Sequence, residues 1–372
     1  MTIYYLRIKE WFDRQPQADK DKLPALFAIT GVGLIAAQSL VFMDRLIAAY
    51  IFIALSLIVA RLLGKKITLG PKWMYIPLLT IVGIVFLRAA IYSTSIHSVT
   101  TGTFEIGFIS LMFCGYLAGR VCGRDIFYLL PFVAIILALF IYANAIIRPD
   151  NIMYNLDYNL LSATLILATV LTTWQRKWII VAITLPAIFL TGASEGILAL
   201  GIIFIMVLLR KDFTAKLLLP VGALSVVFLA TFYTGTVDTI YARAYNIITE
   251  TAETSGLSQR IDGYRYALQD IKYLGHSYNP TNTERDSIHN VPLRALYELG
   301  PIVAIAWCFA MLVGLFKTRY KYAFAAIIAF ALFDHLMWTW LAPIPWVIAG
   351  VATVDKEGDL LFRKENIKCQ VE

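Results

Sequence analysis

The sequence predicts an all-α polytopic membrane protein of about twelve transmembrane helices, with one large outer loop between the ninth and tenth. Three observations lead there. Of the 372 residues, 59% are hydrophobic and 15% charged, with a mean hydropathy of +0.70, whereas soluble domains average about 45–50% and 25%. Apolar runs long enough to cross a bilayer recur along most of the chain. The basic residues are also placed asymmetrically. Five loops (61–72, 120–124, 174–178, 210–216 and 317–321) hold 14 Lys and Arg, while the five short loops on the other side hold only Arg45 and Arg148. Loops rich in Lys and Arg stay on the inner side of a membrane. The net charge of +7 is therefore topological and gives no reason to expect a nucleic-acid ligand.

Taken in order, residues 1–22 form an inner tail with no apolar signal core and no small-residue cleavage site. Residues 23–235 hold nine spans, near 24–42, 46–63, 74–93, 103–119, 127–147, 158–174, 178–192, 196–210 and 217–235. The joints at Met43–Arg45 and Gly192–Gly196 are tight enough to make helical hairpins. Residues 236–298 form the outer loop. Residues 299–354 supply spans near 299–316, 322–340 and 341–354, and 355–372 are a second inner tail. The last span is short and Pro-rich, so eleven is the alternative count. The cysteines at 114, 122, 308 and 369 avoid the outer loop, so neither a structural disulfide nor a cysteine metal site is expected.

The outer loop carries six basic and eight acidic residues. It is too long for a simple linker and too short for a domain with its own core. Within it, "SQRIDGYRYALQDIKYL" (258–274) predicts a helix with Ile261, Tyr264, Leu268 and Ile271 on one face. "YLGHSYNPTNTERD" reads as a turn region. Asn290 then suits an N-cap, with Pro292 in the first turn and Gly300 closing a short helix.

Chemistry is expected on the outer side, where this topology puts all four histidines, 97, 276, 289 and 335. Asp286 lies three residues before His289, a spacing that orients an imidazole as a general base; the bland alternative is that His289-Asn290 only caps a helix. The helix start that follows would offer backbone N–H groups to an anion. Arg260 and Arg265 stand beside Tyr264 and Tyr266. Their planar guanidinium groups suit a diphosphate, and the alternative is a solvated helix face. Arg88, in "GIVFLRAAIYS", and Glu105 lie inside apolar runs, where charges are functional, paired or snorkelling outward. Glu195 and the Asp334-His335 pair line the outer ends of spans, and the nearby Trp338 and Trp340 fit an interfacial belt. A metal site from His276, Glu284, Asp286 and His289 matches no tight ligand spacing, and no metal or cofactor is expected.

"SQRIDGYRYAL" followed after a Gly-containing turn by "IHNVPLRALYELGPI" resembles the O-antigen ligase/polymerase family. The matching positions are Ser258, Arg260, Tyr264, Gly275, His289, Asn290, Glu298, Leu299 and Gly300. "DYNLLSATLILA" and "FDHLMWTW" resemble further family segments, and the layout of spans agrees. The resemblance implies glycosyl transfer at the periplasmic face of a bacterial inner membrane. The donor would be a glycan on undecaprenyl diphosphate. The acceptor would be a sugar hydroxyl on lipid A-core or on another lipid-linked glycan, with no nucleotide sugar. His289 would take the acceptor proton and Arg260 would hold the diphosphate. Where the family commonly has Ser-Arg-Gly, this chain has Ser194-Glu195-Gly196, so either a second cation comes from Arg88, Arg243, Arg265 or Arg285 or the substrate or mechanism differs. The alternative classes are a twelve-span transporter or flippase of lipid-linked glycans, which predicts repeat symmetry and polar residues near mid-membrane, and a purely structural membrane protein.

Overall fold

The computed structural model describes residues 17–36, 45–92, 96–123, 125–147, 158–174, 177–191, 193–208, 257–276, 288, 290–333 and 344–354. Among these residues it is all-α, with thirteen helices. They are α1 (Gln17–Ala36), α2 (Arg45–Leu62), α3 (Lys72–Tyr92), α4 (Ile96–Cys122), α5 (Asp125–Ile147), α6 (Tyr158–Trp174) and α7 (Trp178–Leu190). After these come α8 (Ser194–Leu208), α9 (Leu257–Gln269), α10 (Val291–Leu299), α11 (Pro301–Lys317) and α12 (Lys321–Phe333), and finally α13 (Ile344–Val354).

Three stretches, Lys72–Ile91, Glu105–Cys122 and Asp125–Ile147, are long and apolar enough to cross a membrane. At 1.5 Å per residue they reach about 27–35 Å, close to the hydrocarbon thickness of a bilayer. Seven shorter apolar stretches accompany them, in α2, α6, α7, α8, α11, α12 and α13. The expected ninth span, 217–235, and most of the outer loop, 236–256 and 277–287, lie outside the described residues.

The burial pattern is that of helices sorted between protein and an apolar surrounding. α6 is buried on every side from Leu161 to Thr173 and packs against α1, α5, α7, α8 and α12. Its neighbours are two-faced. On α5, Phe132, Ile136, Leu139 and Ile146 stay exposed in one stripe, while Leu130, Ala134, Leu137, Ala138 and Ile141 are buried. On α11, Ile302, Ile305, Phe309, Leu312 and Phe316 do the same. Such long apolar stripes are foreign to a water-facing surface and fit helices that meet lipid. Where helices cross closely, small residues stand at the contact: Gly119 of α4 abuts the Val347 carbonyl of α13, and Gly196 of α8 abuts the Ser162 hydroxyl of α6. Close crossing at glycine is how helices without a hydrophobic drive between them gain packing contact.

Polar groups gather at the two ends of the bundle. At one end the 63–71 connection is held down by Arg120, which donates from Nε to the Thr68 carbonyl (2.8 Å), from Nη2 to Thr68 Oγ1 (2.8 Å) and from Nη1 to Thr353 Oγ1 (2.7 Å). Tyr116 adds a bond from its hydroxyl to the Leu69 carbonyl, 2.8 Å. The end where α3 finishes and α4 begins carries the groups described below.

Several expectations change in detail. α4 begins at Ile96 instead of near 103: the polar stretch "HSVTTG" holds no proline, and the helix continues through it, Gly102 included, beyond its apolar run. Gly300, at φ +90°, closes the short helix α10 as expected, and α11 runs on from Pro301 to Lys317 where the tenth span is expected. The loop helix stops at Gln269, short of 274, and it packs on a different face from the one expected. Gly263 and Ala267 are buried, while Ile261, Leu268 and Ile271 are exposed. Small residues let α9 approach α10 closely, and that contact outweighs the hydrophobic periodicity of the larger side chains.

Candidate functional site

The region that carries the expected chemistry is built on α10. Asn290 caps it: its Oδ1 accepts from the Leu293 N–H at 2.9 Å, and its Nδ2 donates to the Leu332 carbonyl at 3.0 Å, tying the start of α10 to the end of α12. Ile288, just upstream, is fully buried with Ala267 and Tyr297. The chain is thus fixed on both sides of position 289. His289 itself lies outside the described residues.

The helix start does not offer the row of free N–H groups expected of it. Pro292 has none, the Leu293 N–H is used by the cap, and the Arg294 N–H donates to the Asn290 carbonyl at 2.8 Å.

Beneath α10 lies a buried ionic cluster. Arg88, 1% exposed, donates from Nη2 to Glu105 Oε1 at 3.2 Å and from Nη1 to the main-chain carbonyl of Glu298. Glu298 in turn accepts on Oε1 from Arg294 Nε at 3.1 Å, one turn back on α10. Two arginines and two glutamates therefore meet out of solvent with balanced formal charge, linking α3, α4 and α10. An isolated charge there would be costly, and pairing is what makes it tolerable. Arg88 is paired with Glu105, one of the outcomes expected of a charge inside an apolar run. The sequence signal was two opposite charges in successive apolar runs joined by a short turn, although nothing in it pointed to Glu298 as the third member.

Above α10 the segment after α9 folds back. Tyr266 and Tyr297 share a hydroxyl–hydroxyl hydrogen bond of 2.9 Å, with ring centroids 5.2 Å apart. His276 also stacks on Tyr297, at 4.3 Å and 12° between planes. The His276 Nε2–H donates to the Asp270 carbonyl at 2.6 Å, with the Asp270 carboxylate 3.4 Å away, and its backbone N–H donates to the Tyr297 carbonyl at 2.9 Å. Burial, followed by the Tyr266 hydrogen bond, pushes the Tyr297 phenol well above its ordinary range. This aromatic cluster was not anticipated from sequence; the local density of Tyr at 264, 266, 273 and 297 was its one trace.

Two glycines make the fold-back possible. Gly275, at φ +70°, lies against the Glu298 carbonyl and the Leu299 nitrogen, and Gly300 lies against the Tyr273 carbonyl. A Cβ at either place would strike backbone.

The remaining expected residues are distributed as follows. Arg260 stands in the first turn of α9 and Glu195 in the first turn of α8. Arg265 is 73% exposed and pairs with Asp262 at 3.5 Å, an open contact of small energetic weight. Arg285 and Asp334 lie outside the described residues, as do Arg243, Glu284 and Asp286, so of the suggested metal set only His276 is described. The structure brings Arg88, Asn290 and the Glu298 motif position onto one helix and its supports; it keeps Arg265 at the surface. Set against known protein-family models, curated proteins and solved structures, the chain gives no match.

Proposed function

We propose that the chain is a membrane-embedded glycosyltransferase of the O-antigen ligase/polymerase kind, acting at the periplasmic face of a bacterial inner membrane. In this reading twelve spans cross the membrane, both tails are cytoplasmic, and 236–298 is a periplasmic loop. The donor is a glycan on undecaprenyl diphosphate. His289 takes the proton from an acceptor sugar hydroxyl on lipid A-core or another lipid-linked glycan. The acceptor oxygen bonds to the donor's anomeric carbon as the bond from that carbon to the diphosphate breaks. Undecaprenyl diphosphate leaves with its charge met by Arg260. No metal or nucleotide sugar takes part.

The observation that carries this reading is convergence. Gly275, Asn290, Glu298 and Gly300, all among the residues of the resemblance, have separate physical jobs in holding one short helix at the mouth of α11. A segment so heavily constrained on both sides of position 289 suits a base that must meet its proton within hydrogen-bond reach. Glu195 stands where the family commonly has arginine, and Arg88 is engaged with Glu105. Among the described residues that leaves Arg265, exposed and near the surface, as the second cation for the diphosphate.

The test is reconstitution of the purified protein in vesicles with undecaprenyl-diphosphate glycan and an acceptor. Formation of a new glycosidic bond with release of undecaprenyl diphosphate supports the proposal. Passage of the glycan lipid across the bilayer without bond formation replaces it with a flippase. A deletion strain then separates the two enzymes: long chains stranded on the lipid carrier mark a ligase, and lipid A-core with a single repeat marks a polymerase.

A further inference from the structure

Part of the face that α9 turns outward is apolar, beside exposed charges that include the Asp270–Lys272 pair (3.7 Å), and nothing in the expected chemistry uses it. Ile261 and Leu268 (54% exposed) lie on one side of the helix, and Ile271 and Tyr273 (84% exposed) follow in the turn after it. Asp262, Arg265 and Gln269 form a separate exposed polar sector, and Gly263 and Ala267 face the protein. The helix therefore has three sectors, packed, apolar and polar, which is the layout of a helix lying in a membrane interface.

The position of this face identifies its occupant. The Tyr273 carbonyl lies against Gly300, the residue before α11 begins. α11 opens with Ile302 and Ile305 exposed, the first members of its lipid-facing stripe. The backbone at Tyr273 thus meets the start of a helix whose exposed stripe is apolar, which brings Ile271 and Tyr273 to the level where that stripe begins. Leu268 is five residues from Tyr273, so its Cα lies within about 18 Å of that junction even if the chain between were fully extended. Tyr is also the residue type that settles at the headgroup level, its ring in the acyl boundary and its hydroxyl in water.

We propose that Leu268, Ile271 and Tyr273, with Ile261 at the far end of the stripe, seat α9 in the outer leaflet at the boundary of headgroups and acyl chains. The loop helix is then a membrane-surface element, held on its other side by Gly263 and Ala267 against α10. Seated this way, the helix carries Arg260 and Arg265 at the depth of lipid headgroups. A phosphate attached to a lipid reaches them by lateral diffusion, without leaving the membrane. The seating itself does not depend on the glycosyl-transfer reading.

The experiment uses the full chain with its cysteines at 114, 122, 308 and 369 replaced, in vesicles of phosphatidylcholine and phosphatidylglycerol. Nitroxide labels are placed singly at Leu268→Cys, Ile271→Cys and Gln269→Cys, and collisions with oxygen and with a water-soluble nickel chelate are measured. The expected result is a reversal between adjacent positions. Oxygen collisions dominate at 268 and 271, and nickel collisions dominate at 269. Nickel access at 268 and 271 equal to that at 269 overturns the proposal in favour of a solvated face. Silence to both reagents at 268 and 271 overturns it in favour of a protein contact, with another part of this chain or a second copy. Reading two apolar positions keeps a folding defect at one from deciding the outcome.

Discussion

Glu105→Gln is the most informative single change to the framework under the site. It removes the countercharge of a guanidinium that is 1% exposed, leaving Arg88 with the Glu298 carbonyl and a neutral amide in place of an ion pair 3.2 Å long. Breaking a buried pair from one side costs about 3–5 kcal/mol in soluble proteins. Measured polar contacts in membranes run lower, with an average near 0.6 kcal/mol, because the unfolded chain in the bilayer also finds partners. A loss of about 3 kcal/mol is therefore the expectation, a fall in melting temperature of roughly 6–10 °C at the lower sensitivity of large chains. The assay is a thermal melt in detergent read by a thiol-reactive dye, since Cys122 is buried and Cys114 and Cys308 are partly so. The pair Arg88→Met with Glu105→Gln should cost clearly less than the two single changes added together, giving a coupling term in the double-mutant cycle. A Glu105→Gln protein that melts within about 2 °C of the wild type, a shift worth under 1 kcal/mol, refutes the view that this pair holds α10 in place.

Three further changes probe the supports of α10. Gly275→Ala places a Cβ against the Glu298 carbonyl and forces an L residue to φ +70°, at about 1–2 kcal/mol for the backbone alone; hydrogen exchange over 257–276 should rise sharply. Asn290→Ala loses both the cap and the tether to Leu332, for about 1–2 kcal/mol. Asn290→Asp keeps the cap but turns a carboxylate oxygen toward the Leu332 carbonyl, so it should melt early as well, whereas a capping role alone predicts no change. The Tyr297 phenol is raised in the folded protein. Its contribution is therefore complete below the unfolded value of about 10 and is lost as pH rises above it; Tyr297→Phe should flatten the alkaline limb of a stability profile.

The sequence made the helical class legible because lipid exposure and burial both select apolar residues, and the chain is saturated with them. The α10 boundaries were legible because Asn290, Pro292 and Gly300 are local signals whose geometry does not depend on partners. The buried face of α9 was not, since hydrophobic periodicity reports which face is apolar and not what covers it. Gly263 and Ala267 won the protein contact by allowing close approach, and the larger residues were left outside. Pairing across the bundle was half legible. Arg88 and Glu105 announce an expensive burial, whereas the part played by the Glu298 carbonyl rests on a backbone position that no residue type encodes. Glu195, where the family of the resemblance commonly has arginine, is a plain feature of the sequence, and the exposure of Arg265 beside the pairing of Arg88 is what the structure adds to it.

The central claim is that position 289 supplies the base for glycosyl transfer from a lipid diphosphate. It is tested most directly by His289→Ala in vesicles holding undecaprenyl-diphosphate glycan and acceptor, with its melt checked against the wild type. The account predicts a well-folded protein whose rate of glycosidic bond formation falls by about 10²–10⁴-fold, the usual contribution of a positioned base. Bond formation at the wild-type rate in that variant contradicts it.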